Sequence, residues 1–406
     1  MADSTTIPTR HANLRVARRL APAQALAVFG SAVDLTLTGI VGHHLAPTDA
    51  LATLPFSLIA VGALSSTFVV SRTIGRLGYR KTFVLFSGAA VASGLISALA
   101  VQWGSFWLLC AGTFLIGLYS AATGYYRYAA ADSAQGARAA AVTTVLAGGL
   151  VAALIGPFLA TWTANLLPVA YVASYLLVAV FGAIAALWNA TLPAELERTE
   201  VVPAAASAGR SRRVLWRQPL LLAGVLTTAF AAVTMNAMMT AGPIAGMAMG
   251  HSEAAAAFAV QLHMVGMFAP GFVVARIIDR IGDRAITLIG IALILVAGAV
   301  AALSTTEWAF LTAMLTIGVG WNLTYSGGSA LIAHAYRPEE RGRVQPIAEA
   351  ITGSFQVIGS LSAGAMTSVV GWQLLGLGLV GACVVVTLTT AKLRRRADPS
   401  STGVQP

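Results

Sequence analysis

Three titratable side chains stand inside long apolar runs, where each needs a reason. Asp34 lies fourteen residues into the run 20–43. At 1.5 Å of helix rise per residue that is about 21 Å along, too deep for a carboxylate to reach either surface. A charged group at such depth costs at least ~2.5–3.5 kcal/mol on insertion scales. A carboxyl group shielded from water can load a proton and release it once water reaches it. Asp34 is therefore the leading residue for proton coupling, against the plainer reading of a hydrogen-bonded structural aspartic acid. His263 lies mid-way along the run 255–275 and adds an imidazole, the side chain that titrates nearest neutral pH. Glu349 completes the set. It lies four residues past Gln345, with Pro346 suited to a first helical turn, so stabilising a helix N-terminus competes with proton chemistry there.

A second group could recognise a flat polar molecule. Trp321, Asn322 and Tyr325 share one apolar run, Gln356 lies in the next, and Asn236 sits at similar depth in a third. Asn322 and Tyr325 are three apart and share a helix face. Stacking rings with a few convergent hydrogen-bonding groups make the composition of a small-molecule site. On this reading Trp321 and Tyr325 stack on the ligand while Asn322 and Gln356 read its polar edge. Arg127 and Asp132 are near neighbours, expected as a local ion pair or a gate. Tyr125, Tyr126 and Tyr128 are expected in an interfacial belt. Cys110 and Cys383, both deep in apolar runs, read as inert packing residues.

The elements that must hold these residues follow from composition. Of 406 residues, 57% are hydrophobic and 10% charged, whereas a soluble domain carries about 25% charged residues. Much of the exterior must face lipid, which excludes a cytosolic enzyme, a secreted disulfide scaffold and a disordered tail. The net charge of +10 does not point to nucleic acid, because the bases are dispersed between apolar runs and form no patch. A bilayer core about 30 Å thick needs roughly 20 apolar residues per helical crossing. Twelve runs of that length occur, near 20–43, 50–71, 82–101, 105–128, 139–161, 166–190, 219–241, 255–275, 285–303, 308–334, 345–368 and 373–391. None alternates with period two, which argues against a β-barrel. The first run is longer than a signal-peptide core and is interrupted by Asp34, so it reads as a retained helix.

Charge fixes the topology. With twelve helices and the N-terminus inside, all 25 Lys and Arg fall in segments on one side, and the loops on the other side hold only Asp49, Glu253 and Glu307. Bases mark the cytoplasmic side, so both termini are expected there. The segment 191–218 is polar and carries the basic run 210–213. It reads as a flexible cytoplasmic linker between six-helix halves at 1–190 and 219–406.

The halves repeat. The turn after the second run holds Gly75, Arg76, Gly78 and Arg80, and the turn after the eighth holds Asp279, Arg280, Gly282 and Arg284, at an offset of 204. Duplicated halves are common in transporters. This basic turn resembles the signature of the major facilitator superfamily, and the resemblance covers essentially the whole chain. It implies an all-α integral membrane protein, twelve transmembrane helices in two pseudo-symmetric six-helix bundles. It also implies a gate on the basic side, latched by Arg–Asp pairing. Gly75 stands where the signature has its acid, so Asp279 is the better-placed partner.

Two further resemblances bear on substrate. Ala152, Gly156, Pro157 and Ala160 are similar to the Gly-Pro motif of the superfamily's proton-antiporting drug exporters, although ordinary helix packing is the preferred reading of these residues. The stretches 51–55, 126–132, 263–270 and 320–325 resemble a bacterial branch containing a riboflavin importer, which implies uptake of a planar heteroaromatic nutrient. The chain has no G-x-x-x-x-G-K loop, H-E-x-x-H helix or G-x-S-x-G elbow, so neither ATP-driven transport nor an intramembrane enzyme is expected. The resulting expectation is a monomeric secondary transporter of a bacterial inner membrane. It needs no cofactor or metal, binds a small organic solute, and couples its movement to protons. The alternative is a drug or metabolite/proton antiporter.

Overall fold

A computed structural model of the chain describes residues 14–48, 51–134, 138–197, 209–337, 340–369 and 371–397. Among them there is no strand. In chain order the helices are α1 (Arg15–Leu45), α2 (Leu54–Gln102), α3 (Phe106–Thr123), α4 (Tyr126–Ser133), α5 (Arg138–Thr163) and α6 (Val172–Ala190). A short α7 (Arg212–Leu215) precedes α8 (Pro219–Ala248), α9 (Glu253–Phe268), α10 (Gly271–Leu303), α11 (Glu307–Ala335), α12 (Arg341–Val369) and α13 (Gly371–Ala397).

Twelve crossings emerge once two bends are counted. α2 and α10 are each broken by a glycine at positive φ, Gly78 at 79° and Gly282 at 83°. The chain turns back there without losing helical hydrogen bonding on either side, so α2 supplies two crossings and α10 the end of one and all of the next. α3 and α4 join into a single crossing, as do α9 and the start of α10. Nine described stretches are long and apolar enough to span a membrane. α11 and α12 fall outside that set, and they carry Trp321, Asn322, Tyr325, Glu349 and Gln356.

Each half has its own packed interior. One core is built from residues between Val16 and Leu196, and a second mostly from residues between Phe230 and Val386. α1 and α8 are the most enclosed helices. Ala152 and Ala160 of α5 are fully buried and Gly156 packs against Ala32 of α1, so these small residues serve close helix contact. Large apolar side chains point outward instead: Phe68, Phe158, Leu187 and Leu388 are all more than half exposed, as a lipid-facing surface requires.

Interfacial aromatics do occur, but on other residues than expected. Trp103, Trp107, Trp162 and Trp308 are strongly exposed at helix ends remote from the basic turns. Tyr126, by contrast, is fully buried and accepts a hydrogen bond from the Asn189 amide at 2.9 Å. The described end of the linker is docked rather than free. Leu215 is wholly buried in a small core with Val225, Ala335 and Val344. Arg210 donates to both carboxylate oxygens of Glu340, at 2.9 and 2.7 Å.

Candidate functional site

Between the two halves, toward the basic end, lies a cavity of about 320 Å³. Pockets for small organic molecules begin near this size, at ≈ 300 Å³. α2 contributes Leu64 and Thr67, α3, α4 and the turn between them contribute Ser120, Tyr125, Arg127 and Tyr128, α11 contributes Tyr325, and α12 contributes Glu349, Thr352 and Gln356. Tyr125 and Tyr128 meet edge to face, with centroids 5.7 Å apart. The Arg127 guanidinium lies 4.8 Å over the Tyr128 ring. Arg127 then reaches Glu349 of the opposite half at 3.5 Å, and the Tyr128 hydroxyl donates to the same carboxylate oxygen at 3.1 Å.

This arrangement corrects several expectations. Glu349 is no cap: α12 begins at Arg341, two turns earlier, and the carboxylate enters the cavity. Arg127 pairs with it rather than with Asp132, which accepts a 2.9 Å bond from Tyr79. Tyr125 and Tyr128 line the cavity instead of a membrane interface. Charged partners 222 residues apart on facing helices carry no local sequence signal, so this wall was not readable from spacing.

The expected aromatic group is only partly assembled. Tyr325 and Gln356 line the cavity. Trp321 stacks behind Tyr325, rings 5.1 Å apart and 19° from parallel, so it supports the wall without forming it. Asn322 donates to the Met267 carbonyl at 2.6 Å and ties α11 to α9. Asn236 donates to Ala232 on its own helix at 3.1 Å. Neither amide lines the cavity.

Asp34 is buried away from this cavity, inside the first half. Thr38 donates to its Oδ1 at 3.2 Å and is itself 3.2 Å from the Tyr175 hydroxyl. Oδ2 has no hydrogen-bond partner among the described residues. His263 is also fully buried, with Nδ1 3.0 Å from the Met314 carbonyl and Nε2 without a partner among the described residues. The two lie on separate elements and are not brought together with Glu349.

The halves also meet away from the cavity. Ser360 of α12 donates to Ser57, in the first turn of α2, at 2.9 Å and lies 2.9 Å from Thr240 of α8. Gln261 of α9 donates to the Leu154 carbonyl of α5, one turn before Pro157. At the end remote from the basic turns, Tyr171 donates to Glu253 at 2.9 Å and His44 lies 3.8 Å from the same carboxylate. Desolvation first, and the Glu253 carboxylate second, push the Tyr171 phenol up to about 12.

The family model described as Major Facilitator Superfamily matches residues 20–345 and 248–406. The chain belongs to the major facilitator superfamily. As a superfamily member it is a multi-pass membrane transporter, not an enzyme. It is 33% identical over 353 residues to the riboflavin transporter RfnT of Brucella anthropi, covering 86% of this chain and 88% of that one. It is 25% identical over 381 residues to the uncharacterized MFS-type transporter YdeG of Bacillus subtilis, covering 88% of this chain and 86% of that one. Among solved structures, the nucleoside transporter NupG superposes with a TM-score of 0.68 at 14% identity, covering 94% of this chain and 99% of that one. The human organic anion transporter MFSD10 gives 0.70 at 15%, covering 93% of this chain and 99% of that one.

The superfamily's basic turn is present in both halves. Arg76, Arg280 and Arg284 are exposed and Arg80 is half-buried. The side chain of Asp279 lies outside the described residues. A neighbouring acid, Asp283, lies 3.1 Å from His334 at the end of α11, tying the second turn to a cavity helix.

Proposed function

We propose that this protein takes up a planar heteroaromatic nutrient, with riboflavin as the leading substrate, by alternating access between its two halves. The observation that carries the reading is the inter-half cavity, walled by Tyr125, Tyr128 and Tyr325 and carrying Arg127, Glu349 and Gln356. Aromatic walls stack on a flat ring system, and the polar groups converge on its edge. The 33% identity with a riboflavin transporter across most of both chains supports this choice over drug export. The position of the cavity at the basic end, with polar ties between the halves toward the far end, supports a conformation open toward the cytoplasm.

Movement against a gradient requires an energy source, and Asp34 is the proposed proton carrier. Its burial and its one unpartnered oxygen support that role. Glu349 sits in the cavity as part of an ion pair and belongs with substrate handling. His263 serves as a tie between α9 and α11. The test is uptake of labelled riboflavin by liposomes carrying the purified chain, with and without an inwardly directed proton gradient. Absence of saturable uptake in both conditions would exclude riboflavin as substrate.

A further inference from the structure

Two Arg–Glu pairs in this protein differ sharply in closure. At the linker, Glu340 is fully buried and its two oxygens take the Arg210 side chain at 2.9 and 2.7 Å, the Arg210 backbone N–H at 2.8 Å and the Arg337 N–H at 2.9 Å. That pair is satisfied. In the cavity, Arg127 and Glu349 approach only to 3.5 Å, with side chains 28% and 42% exposed. Ion-assisted N–H···O bonds settle near 2.7–2.9 Å. The Arg127 Nε is buried with no partner among the described residues. The Arg127 terminal nitrogen that meets Glu349 also donates to the Tyr128 hydroxyl at 3.2 Å, so the pair across the two halves is loosely closed and keeps donor and acceptor capacity unfilled.

The charges restrict what could enter. A carboxylate ligand would meet Glu349, and a cation would meet Arg127. A net-neutral edge that sets an acceptor beside a donor satisfies both, leaving neither charge unpaired. A cyclic amide or imide has that edge, in its ring carbonyl and adjacent ring N–H. Tyr125, Tyr128 and Tyr325 flank the position where such a ring would lie, and Gln356, seven residues beyond Glu349 on the same helix face, adds a carboxamide.

We propose that Arg127 and Glu349 are the specificity pair of this transporter and take a neutral lactam or imide edge between them. The guanidinium donates to the ring carbonyl and the carboxylate accepts from the ring N–H. This rests on the cavity being the substrate site. Binding replaces the direct contact between the halves with one made through the substrate.

Competition for riboflavin uptake into liposomes carrying the full chain tests the proposal, with riboflavin and its N3-methyl derivative as competitors. Methylation removes the imide N–H but keeps the rings and carbonyls. The derivative is expected to compete at least ~10-fold more weakly, because its methyl group would leave the Glu349 carboxylate without a donor once the ring covers it. In Glu349→Ala, which removes the acceptor and adds room for the methyl group, the two competitors should become nearly equal. Glu349→Met removes the acceptor at similar size and carries the same expectation if the alanine variant does not fold. Equal competition in the unaltered protein, or an unchanged ratio in both variants, overturns the proposal while leaving riboflavin uptake standing. If riboflavin is not taken up, the substrate reading fails separately. Thermal shift with lumichrome, which keeps the imide, and with nicotinate, a flat carboxylate, then decides. Stabilisation by lumichrome alone supports the pair, and any other pattern overturns it.

Discussion

Gly78 and Gly282 lie 204 residues apart (282 − 78) and hold nearly the same backbone angles, φ 79° with ψ 171° and φ 83° with ψ 160°. This region of φ/ψ space is essentially open to glycine only. The repeat seen in the two basic turns is thus a repeat of backbone geometry, which reverses the chain twice at matching points of the two halves.

Replacing either glycine by alanine should cost about 1–3 kcal/mol of conformational strain. At Gly282 the added methyl group would meet no neighbouring atom, so the cost there is one of backbone angle alone. Gly75→Ala is the comparison, since that residue lies in regular helix with open space around it. Thermal unfolding in detergent should rank Gly78→Ala and Gly282→Ala well below Gly75→Ala. Equal melting temperatures would contradict the assignment.

The fold was legible because the bilayer imposes few choices. Apolar run length gave the crossings, and placement of the bases gave their alternation. The repeated Arg and Gly positions gave the two halves. Of the cavity's lining, residue type and depth singled out Tyr325 and Gln356 as substrate groups, while the partners they meet there were not legible. Arg127 with Glu349, and Tyr325 with Tyr125 and Tyr128, meet only through tertiary packing, and nothing local marks them. Depth misled too: Asn236 and Asn322 lie at the expected level, but their amides turn to backbone carbonyls.

Asp34→Asn mimics the protonated carboxyl group and keeps an oxygen to accept from Thr38. Exchange of substrate between equal pools should persist, while accumulation driven by a pH gradient should be lost. Counterflow and gradient-driven uptake measured on the same liposomes separate the two. Full accumulation by the variant would remove Asp34 from the mechanism.

Trp321 acts through Tyr325, whose ring it backs. Trp321→Ala should weaken substrate binding about 2–10-fold, the worth of an aromatic stack, and Trp321→Phe should retain most of it. Binding isotherms for both variants and for Tyr325→Phe are the measurement. No loss on Trp321→Ala would show that the Tyr325 wall stands unaided.

The Arg210 guanidinium, bonded to Glu340, and next the Arg337 N–H hold the Glu340 carboxyl well below the usual carboxylate range. In the folded state it therefore stays ionised where the unfolded chain, near 4.5, would bind a proton. The stabilisation is complete above that unfolded value and drains away as pH falls toward the folded one. Melting temperature should hold steady near neutral pH and drop in acid. Glu340→Gln should melt lower at pH 7 and lose part of that acid dependence; parallel pH curves for the two proteins would exclude the clasp as its source.

The hydroxyl chain of Ser57, Ser360 and Thr240 bears on speed. A serine or threonine that loses a partner on a facing helix can turn to the carbonyl four residues back on its own. If the halves part as proposed, the break at this contact strands no charge and leaves no donor idle, so this contact would add little to the activation barrier. In the proposed alternating access these hydroxyls would have a second partner waiting, which lowers friction at this contact. Exchanging these residues for alanine or valine should change how tightly the seam packs more than how often it opens.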